Sequence, residues 1–268
     1  MNDAISITIN GPIMEILINR PPANAINPEV SDGIYKALSK LQTDPELRVA
    51  IITGSGERIF SAGWDLKELA NMETNEEALD SSLQCPGGFA GITEFWDLKK
   101  PVVAAVNGMA VGGGFEIALA SDIIISADHA EFFLPEMQRG VLPDAGAIQI
   151  LPRKIPYNVA MELLYTGRRM GEEEAMRWGL VNQVCPADQL MAAAREMASK
   201  IAGGAPLALQ ALKEVVPAIQ TLPIETAFAE TKPGNQRFPI YEKMLMSDDF
   251  MEGARAFAEK RDPVWKGE

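Results

Sequence analysis

The sequence predicts an α/β fold built on parallel strands and followed by an all-helical C-terminal region. Three observations predict it. Short apolar runs typical of buried strands alternate with segments of helical periodicity. Glycine-rich loops stand between strands and helices, and beyond about residue 186 only helical patterns follow. Alternating strands and helices are typical of a parallel sheet that helices cover.

The first elements are predicted to be a β-hairpin and a helix. Isoleucines alternate with polar residues over 5–18, and an Asn-Gly pair supplies a tight turn between the two halves. Asn27 is then a candidate N-cap, with Pro28 at the first helical position. Apolar residues spaced four, four and three apart continue this helix, which we expect to end near Asp44.

Three further buried strands and three C-terminal helices are predicted. The strands are VAIIT (49–53), PVVAAV (101–106) and DIIISA (122–127). Between the first two, residues 71–92 are polar and then glycine-rich, which predicts a mobile surface segment. The helical patterns are MAAAREMASKIA, PLALQALKEVV and FMEGARAFAEK.

Charge and composition exclude several classes of function. With 24 Lys and Arg, 37 Asp and Glu and one His, the formal net charge is −13, which disfavours binding to nucleic acid or anionic membranes. We see no signal peptide and no apolar run long enough to span a membrane. Cys85 and Cys185 form no Cys-x-x-Cys motif, and unpaired cysteines fit a reducing cytoplasm.

The single histidine, His129, limits the chemistry further. It lies in the polar segment SADHAEF, where we expect a surface position. Zinc sites and triads that need several histidines are therefore excluded, and we expect no metal. An active site in this chain would rely on carboxylates or on backbone dipoles.

Two glycine-containing loops could supply backbone dipoles. In AAVNGMAVGGGFEIALA, a strand leads through Gly112, Gly113 and Gly114 into a helix, whose first amides lack intrahelical partners. The segment FSAGWDLKEL has a similar order, so the amides of Trp64 and Gly113 could converge on one carbonyl oxygen. Tight turns, with Asp65 as an N-cap, explain the same residues equally well. No phosphate-binding motif is complete here.

Carboxylates are the third element of a candidate site. Glu116 lies in the first turn of an otherwise apolar helix, which favours burial. Glu136 follows 20 residues later (136 − 116), after an apolar run, and could face Glu116 across a cleft. A pair of glutamates suits general acid–base catalysis. Asp144 is either a third acid or the N-cap of the helix AIQIL.

Four segments together resemble the crotonase (enoyl-CoA hydratase/isomerase) superfamily: SAGWDL, AAVNGMAVGGGFEIALASD, FFLPE and GVLPDAGA. The resemblance runs in order through nearly the whole chain. It implies a crotonase (ClpP-like) fold of repeated ββα units in a spiral over residues 1–200, and a helical trimerisation region over 201–268. It also implies a homotrimer or a dimer of trimers, with coenzyme A as part of the substrate and no separate cofactor.

The resemblance also assigns roles to residues. It implies an oxyanion hole from the backbone N–H groups of Trp64 and Gly113, and catalysis by Glu116 and Glu136. An isomerase of this superfamily can work with one glutamate, and a dehalogenase uses an aspartate at the position of Asp144, so both activities stay open. The residues that the resemblance places against coenzyme A or the acyl group are Ala23, Ala25, Ala62, Asp65, Leu66, Gly112 and Asp144.

The segments PGGFAG and KRDPVWKG resemble more particularly those members that act on crotonobetainyl-CoA or L-carnitinyl-CoA. They imply reversible syn addition or elimination of water. A general short-chain enoyl-CoA hydratase and a non-catalytic acyl-CoA binding protein are the alternatives. Residues 71–85 and 218–246 depart from that subgroup and could line the acyl pocket. Candidates for contact with a trimethylammonium group, if they are not simply core residues, are Trp64, Phe89, Phe95 and Trp96.

Overall fold

A computed structural model describes residues 4–72, 74, 76 and 85–268. Ten strands in that part of the chain form two sheets. The strands are β1 (Ile5–Asn10), β2 (Ile13–Ile18), β3 (Val49–Gly54), β4 (Ile59–Ser61), β5 (Val102–Val106), β6 (Met109–Val111), β7 (Ile123–Ala127), β8 (Glu131–Phe133), β9 (Met170–Gly171) and β10 (Gln183–Cys185).

The larger sheet has the order β1-β2-β3-β5-β7-β10. β1 and β2 form the predicted antiparallel hairpin, and every other neighbouring pair in this sheet is parallel. All residues of β3 and β5 are buried, as expected for parallel strands that are covered on both faces. The α/β fold with parallel strands is therefore confirmed.

The smaller sheet has the order β4-β6-β8-β9, and its first three strands are parallel. The chain thus runs twice from a strand of the larger sheet through a short strand of the smaller sheet into a helix, which confirms the ββα repeat. The sequence patterns alone were wrong here, because they treat Ile59–Ser61 and Met109–Val111 as loop. A strand of three residues is too short to show alternation.

The helices cover both faces of the larger sheet. On one face, Val30, Ile34 and Leu38 of α1 pack against alternate residues of β2, β3 and β5. On the other face, the opposite residues pack against α7, including Leu190 and Ala194. The helices are α1 (Pro28–Thr43), α2 (Leu66–Leu69), α3 (Gly113–Ala120), α4 (Ala147–Lys154), α5 (Tyr157–Thr166), α6 (Glu172–Arg177), α7 (Leu190–Ala202), α8 (Pro206–Ile219), α9 (Ile224–Glu230), α10 (Pro239–Leu245) and α11 (Asp249–Glu259).

The glycine-rich end of residues 71–92 is a packed turn. Phe89–Gly91 forms a 3-10 helix, and Ala90, Gly91 and Ile92 are buried. Gly91 has φ +66°, and a Cβ there would lie 2.6 Å from the Tyr35 backbone nitrogen, so the turn lies directly on α1. The prediction of a mobile surface segment is therefore wrong for 85–92. Its residues 73, 75 and 77–84 lie outside the described residues.

The C-terminal region is helical, as predicted. α8 packs against α10, and the last residues are tied to α11, because Asp249 accepts the backbone N–H groups of Lys266 and Gly267 at 2.8 Å each. The division of the chain at residue 200 stays a prediction, since α7 spans it while packing on the sheet. Over the described ranges, no helix has the length and apolar character needed to cross a membrane.

Candidate active site

Two loops that the sequence singles out lie against each other. They follow β4 and β6, which are parallel neighbours with Ile59 paired to Met109, so both loops leave the smaller sheet at the same edge. A Cβ on Gly63 would lie 2.6 Å from the Gly113 nitrogen. Only glycine allows this approach, and its φ of +75° also favours glycine.

These loops present two unused backbone donors. Gly113 is the first residue of α3, so its N–H has no partner within the helix. Trp64 forms a parallel bridge with Ile26, but the bonds of that bridge use the neighbouring groups, from Ile26 N to Gly63 O and from Asp65 N to Ile26 O. Within the described residues, neither N–H has an acceptor. Two adjacent free donors form a suitable oxyanion site.

The loop that carries Ala23 and Ala25 supports the Trp64 loop. Ala62 N donates to Ala23 O at 2.9 Å, which places these three alanines in one patch. Between them, Asn24 is buried with φ +48°, and its side-chain amide donates to Ser55 O and Ile59 O. The structure thus brings together the alanines expected to contact coenzyme A.

Arg20 links the same two loops. Its Nη1 donates to Asp65 Oδ2 at 2.5 Å and to Ala25 O at 3.2 Å. Asp65 in turn accepts from the backbone N–H groups of Lys67 and Glu68, and it is therefore the N-cap of α2. Leu66, the next residue, is exposed at the surface. No periodicity or motif indicates the pairing of Arg20 with Asp65, which lie 45 residues apart.

Glu116 is buried, with 3% of its surface exposed. It lies on α3, whose other residues pack into the core, and its Oε1 accepts the N–H of Ala147 at 3.0 Å. Burial raises the pKa of the Glu116 carboxyl to about 8; the Ala147 amide opposes the rise, and the charges of Glu136 and Asp144 add to it. A group of this kind keeps its proton near neutral pH.

Glu136 lies in a 3-10 helix, Pro135–Arg139, directly beside the glycine loop. Its Oε1 stands where a Cβ on Gly112 would be, so Gly112 makes room for this carboxyl group. Its Oε2 is buried and has no partner within the described residues. Burial raises the pKa of Glu136 as well, with Arg139 opposing and Asp144 adding to the rise.

Asp144 is not the N-cap of α4. That position belongs to Gly146, and no side chain in the described part of the chain caps the helix. Asp144 instead lies close enough to both glutamates to raise the pKa of each. Of the two sequence interpretations, the structure therefore supports a third acid beside Glu116 and Glu136.

The aromatic residues expected to contact a trimethylammonium group fall into two groups, those at the oxyanion loop and those away from it. A Cβ on Gly113 would lie 2.5 Å from the ring of Phe89, so this ring lies at the oxyanion loop. Phe95 packs on Tyr35 with ring centroids 4.9 Å apart, and Trp96 is 74% exposed. Phe95 is thus a packing residue and Trp96 a surface residue, whereas Phe89 stays a candidate.

The remaining expectations concern His129 and the two stretches 71–85 and 218–246. His129 lies at the surface, as predicted, and a ring nitrogen lies 2.7 Å from Glu57 O. The stretch 71–85 falls largely outside the described residues, so its place near an acyl pocket stays a prediction. The stretch 218–246 spans the end of α8, α9 and α10, and its contribution to such a pocket also stays a prediction.

The arrangement can polarise a carbonyl group and move protons close to it. Two amides can bind the oxygen, and two carboxyl groups with raised pKa values lie beside the same glycine loop. The sequence did not indicate the groups that hold Glu116, since backbone amides such as that of Ala147 are independent of residue type. The one sequence feature that accompanies these amides is the run of small residues in DAGA, directly after Pro143.

Glu116 should make the folded state less stable as the pH rises. Its pKa is about 8 in the folded chain and 4.5 as a free group, so the folded state binds the extra proton between these values. The stability that this proton contributes is present below pH 4.5 and is lost as the pH rises through about 8. One pKa unit corresponds to about 1.4 kcal/mol.

We therefore expect Glu116→Gln to gain stability relative to the unsubstituted chain, by a few kcal/mol at most, on going from pH 5 to pH 8. Urea unfolding at both pH values measures this difference. Glu173→Gln, at an exposed glutamate, should show no such change. An equal stability difference at both pH values would contradict the burial argument.

The chain is similar over its whole length to known proteins. Residues 8–268 match the family model described as enoyl-CoA hydratase/isomerase. The chain is 50% identical, over 100% of both chains, to proteins named carnitinyl-CoA dehydratase from Salmonella heidelberg and Salmonella typhimurium.

Solved structures of enoyl-CoA hydratases are also similar to this chain over nearly its whole length. An enoyl-CoA hydratase from Mycobacterium tuberculosis is 38% identical with a TM-score of 0.89, covering 100% of both chains. Another enoyl-CoA hydratase, from Bacillus anthracis, is 35% identical with a TM-score of 0.90, covering 99% of this chain and 100% of its own.

Proposed function

This chain belongs to the enoyl-CoA hydratase/isomerase family, and on that premise we propose that it is a hydro-lyase of CoA thioesters. It adds water to the Cα–Cβ double bond of an enoyl-CoA, or removes water from the 3-hydroxyacyl-CoA. One observation carries the proposal: Glu116 and Glu136, whose pKa values burial raises, lie beside two amides from adjacent loops that have no acceptor within the described residues.

The amides of Trp64 and Gly113 bind the thioester oxygen. Negative charge grows on this oxygen when water attacks Cβ, and the same charge grows when a proton leaves Cα in the reverse direction. Fixed donors stabilise this enolate without reorganisation, and the N-terminus of α3 adds its partial positive charge. Catalysis by Glu116 and Glu136 is consistent with this arrangement.

The two glutamates move the protons. Addition of water needs one carboxylate, which takes a proton from water at Cβ, and one carboxylic acid, which gives a proton to Cα. Elimination reverses both transfers. Burial of both groups, and the charges of Glu136 and Asp144 near Glu116, favour retention of at least one proton near neutral pH. The pair is thus suited to hold one acid and one base.

We propose crotonobetainyl-CoA and L-carnitinyl-CoA as the substrate pair. The support is the full-length identity of 50% to carnitinyl-CoA dehydratases and the presence of PGGFAG, whose Phe89 lies at the oxyanion loop. The presence of Glu136 beside Glu116 favours water addition over the single-glutamate isomerase and over the dehalogenase, although Asp144 is also present.

We propose further that the protein is a homotrimer or a dimer of trimers in the cytoplasm. The C-terminal helices expose large apolar side chains, which subunit contact would cover. The free thiols Cys85 and Cys185 are typical of a reducing compartment. The exposed apolar side chains of these helices are Leu212, Val216, Ile224, Phe228, Phe250 and Phe257.

A panel of thioesters tests the function. Purified protein is mixed with crotonobetainyl-CoA, crotonyl-CoA and a longer enoyl-CoA, and loss of the conjugated thioester absorbance is followed in ¹⁸O-labelled water. We expect labelled oxygen at Cβ. Movement of the double bond in the longer enoyl-CoA without incorporation of label would favour an isomerase, and tight binding without turnover or exchange at Cα would favour a binding protein.

A further inference from the structure

Asp144 stands in the turn that positions Glu116. Ala147, three residues after it, donates a backbone hydrogen bond to Glu116 Oε1 at 3.0 Å, and the backbone of Ala145 opposes the rise in the pKa of Glu116. Pro143, the residue before it, is buried and anchors the turn. Asp144 itself is exposed. Its place is therefore at the open edge of the glutamate pair.

The side chain of Asp144 has no partner in the described part of the chain. Its backbone oxygen accepts Gln149 Nε2 at 2.9 Å, but its carboxylate forms neither an ion pair nor a hydrogen bond there. Asp65, by contrast, is bound by Arg20 and caps a helix. Arg139 opposes the rise in the pKa of Glu136. Asp144 thus leaves a negative charge uncompensated at the site.

The proposed substrate brings the opposite charge to the same place. In crotonobetainyl-CoA the quaternary nitrogen is attached to Cγ, two bonds from the carbon that water attacks. A substrate whose Cβ lies at the glutamates therefore has its cation beside them. A quaternary ammonium has no N–H group, so it is recognised by charge and by contact with its methyl groups, and an unpaired carboxylate suits it.

We propose that Asp144 recognises the quaternary ammonium of the acyl chain and so selects a cationic substrate over a neutral enoyl chain. This inference rests on the function proposed above. The inference also adds a step to the proposed mechanism, in which substrate binding ionises a catalytic group. A bound cation favours the ionised form of nearby carboxyl groups. The cation would help Glu116, which retains its proton in the free protein, to become a base.

The test compares two substrates that differ in charge. For each variant, kcat/KM is measured with crotonobetainyl-CoA and with crotonyl-CoA, and the ratio of the two values is taken. We expect Asp144→Asn to lower this ratio at least about 10-fold, because the attraction between the carboxylate and the cation of the substrate is lost. Any change in the value for crotonyl-CoA should be smaller than the change for crotonobetainyl-CoA. Asp144→Glu, which keeps the charge, should retain more of the ratio than Asp144→Asn.

Asp188→Asn is the matched control, since Asp188 is an exposed aspartate in the described structure, outside the site. It should leave the ratio unchanged. An equal loss of activity with both substrates in Asp144→Asn would overturn the inference, as would an unchanged ratio. If the unsubstituted protein hydrates crotonyl-CoA but not crotonobetainyl-CoA, the inference fails while the hydratase function stands. Turnover of neither substrate would overturn the proposed function itself.

Discussion

Glu116→Gln and Glu136→Gln should each lower kcat at least about 100-fold with either enoyl-CoA substrate. Each change removes a proton acceptor or donor from a pair that must supply one of each. Glutamine has nearly the same shape and keeps the acceptor for the Ala147 N–H, so the turn that contains Asp144 should remain in place. Initial rates of water addition at saturating substrate measure the effect.

Folding must be followed in the same variants. We expect an unchanged or higher melting temperature, because an amide in a buried position has no ionised form to desolvate. Glu173→Gln, on the surface, should keep normal kcat and serves as the control for the loss of one negative charge. Turnover within a few-fold of normal in either Glu116→Gln or Glu136→Gln would rule out the two-glutamate mechanism.

The larger sheet could be predicted from the sequence because its strands carry strong local signals. β3, β5 and β7 are almost entirely apolar, since parallel strands are covered on both faces. The helix from Pro28 begins with its N-cap, Asn27, which accepts from Val30 N at 3.0 Å. In these elements, the local propensity of the residues and their burial favour the same secondary structure.

The smaller sheet and the packed turn at 85–92 could not be predicted from patterns. β4 and β6 have three residues each, and their pairing depends on strands about 50 residues apart in sequence. The turn around Ala90 is rich in glycine, which usually indicates a loop, yet here glycine allows close contact with α1. Long-range packing, not local sequence, determines these elements.

The side chains of the candidate site could be predicted from the sequence, but the interactions that hold them in place could not. Glu116 stands out because a charge interrupts an apolar helix, and Gly112 to Gly114 stand out as a run. The tie between Arg20 and Asp65 and the amides that hold Glu116 depend on tertiary structure alone. The structure also removes one of the two interpretations of Asp144 that the sequence left open, because Gly146 is the N-cap of α4.

Gly63→Ala should reduce kcat/KM by about 10²- to 10³-fold, the cost of losing an oxyanion donor. A Cβ at this position would lie 2.6 Å from the Gly113 nitrogen and 2.8 Å from Val111 O, and φ is +75°. The neighbouring contacts are backbone atoms, which cannot rotate away. The two loops must therefore separate, and the amides of Trp64 and Gly113 would no longer converge.

Two measurements distinguish this loss from general unfolding. Bound enoyl-CoA absorbs at longer wavelength when its carbonyl is polarised, so the variant should still bind the thioester but show a smaller shift. Gly171→Ala is the control, because Gly171 has φ −75° and no atom of the described residues lies within 4 Å of the position that a Cβ would take. It should keep normal activity and the full shift. A normal spectral shift in Gly63→Ala would mean that the contact between these loops does not form the oxyanion site, since the polarising donors would then lie elsewhere.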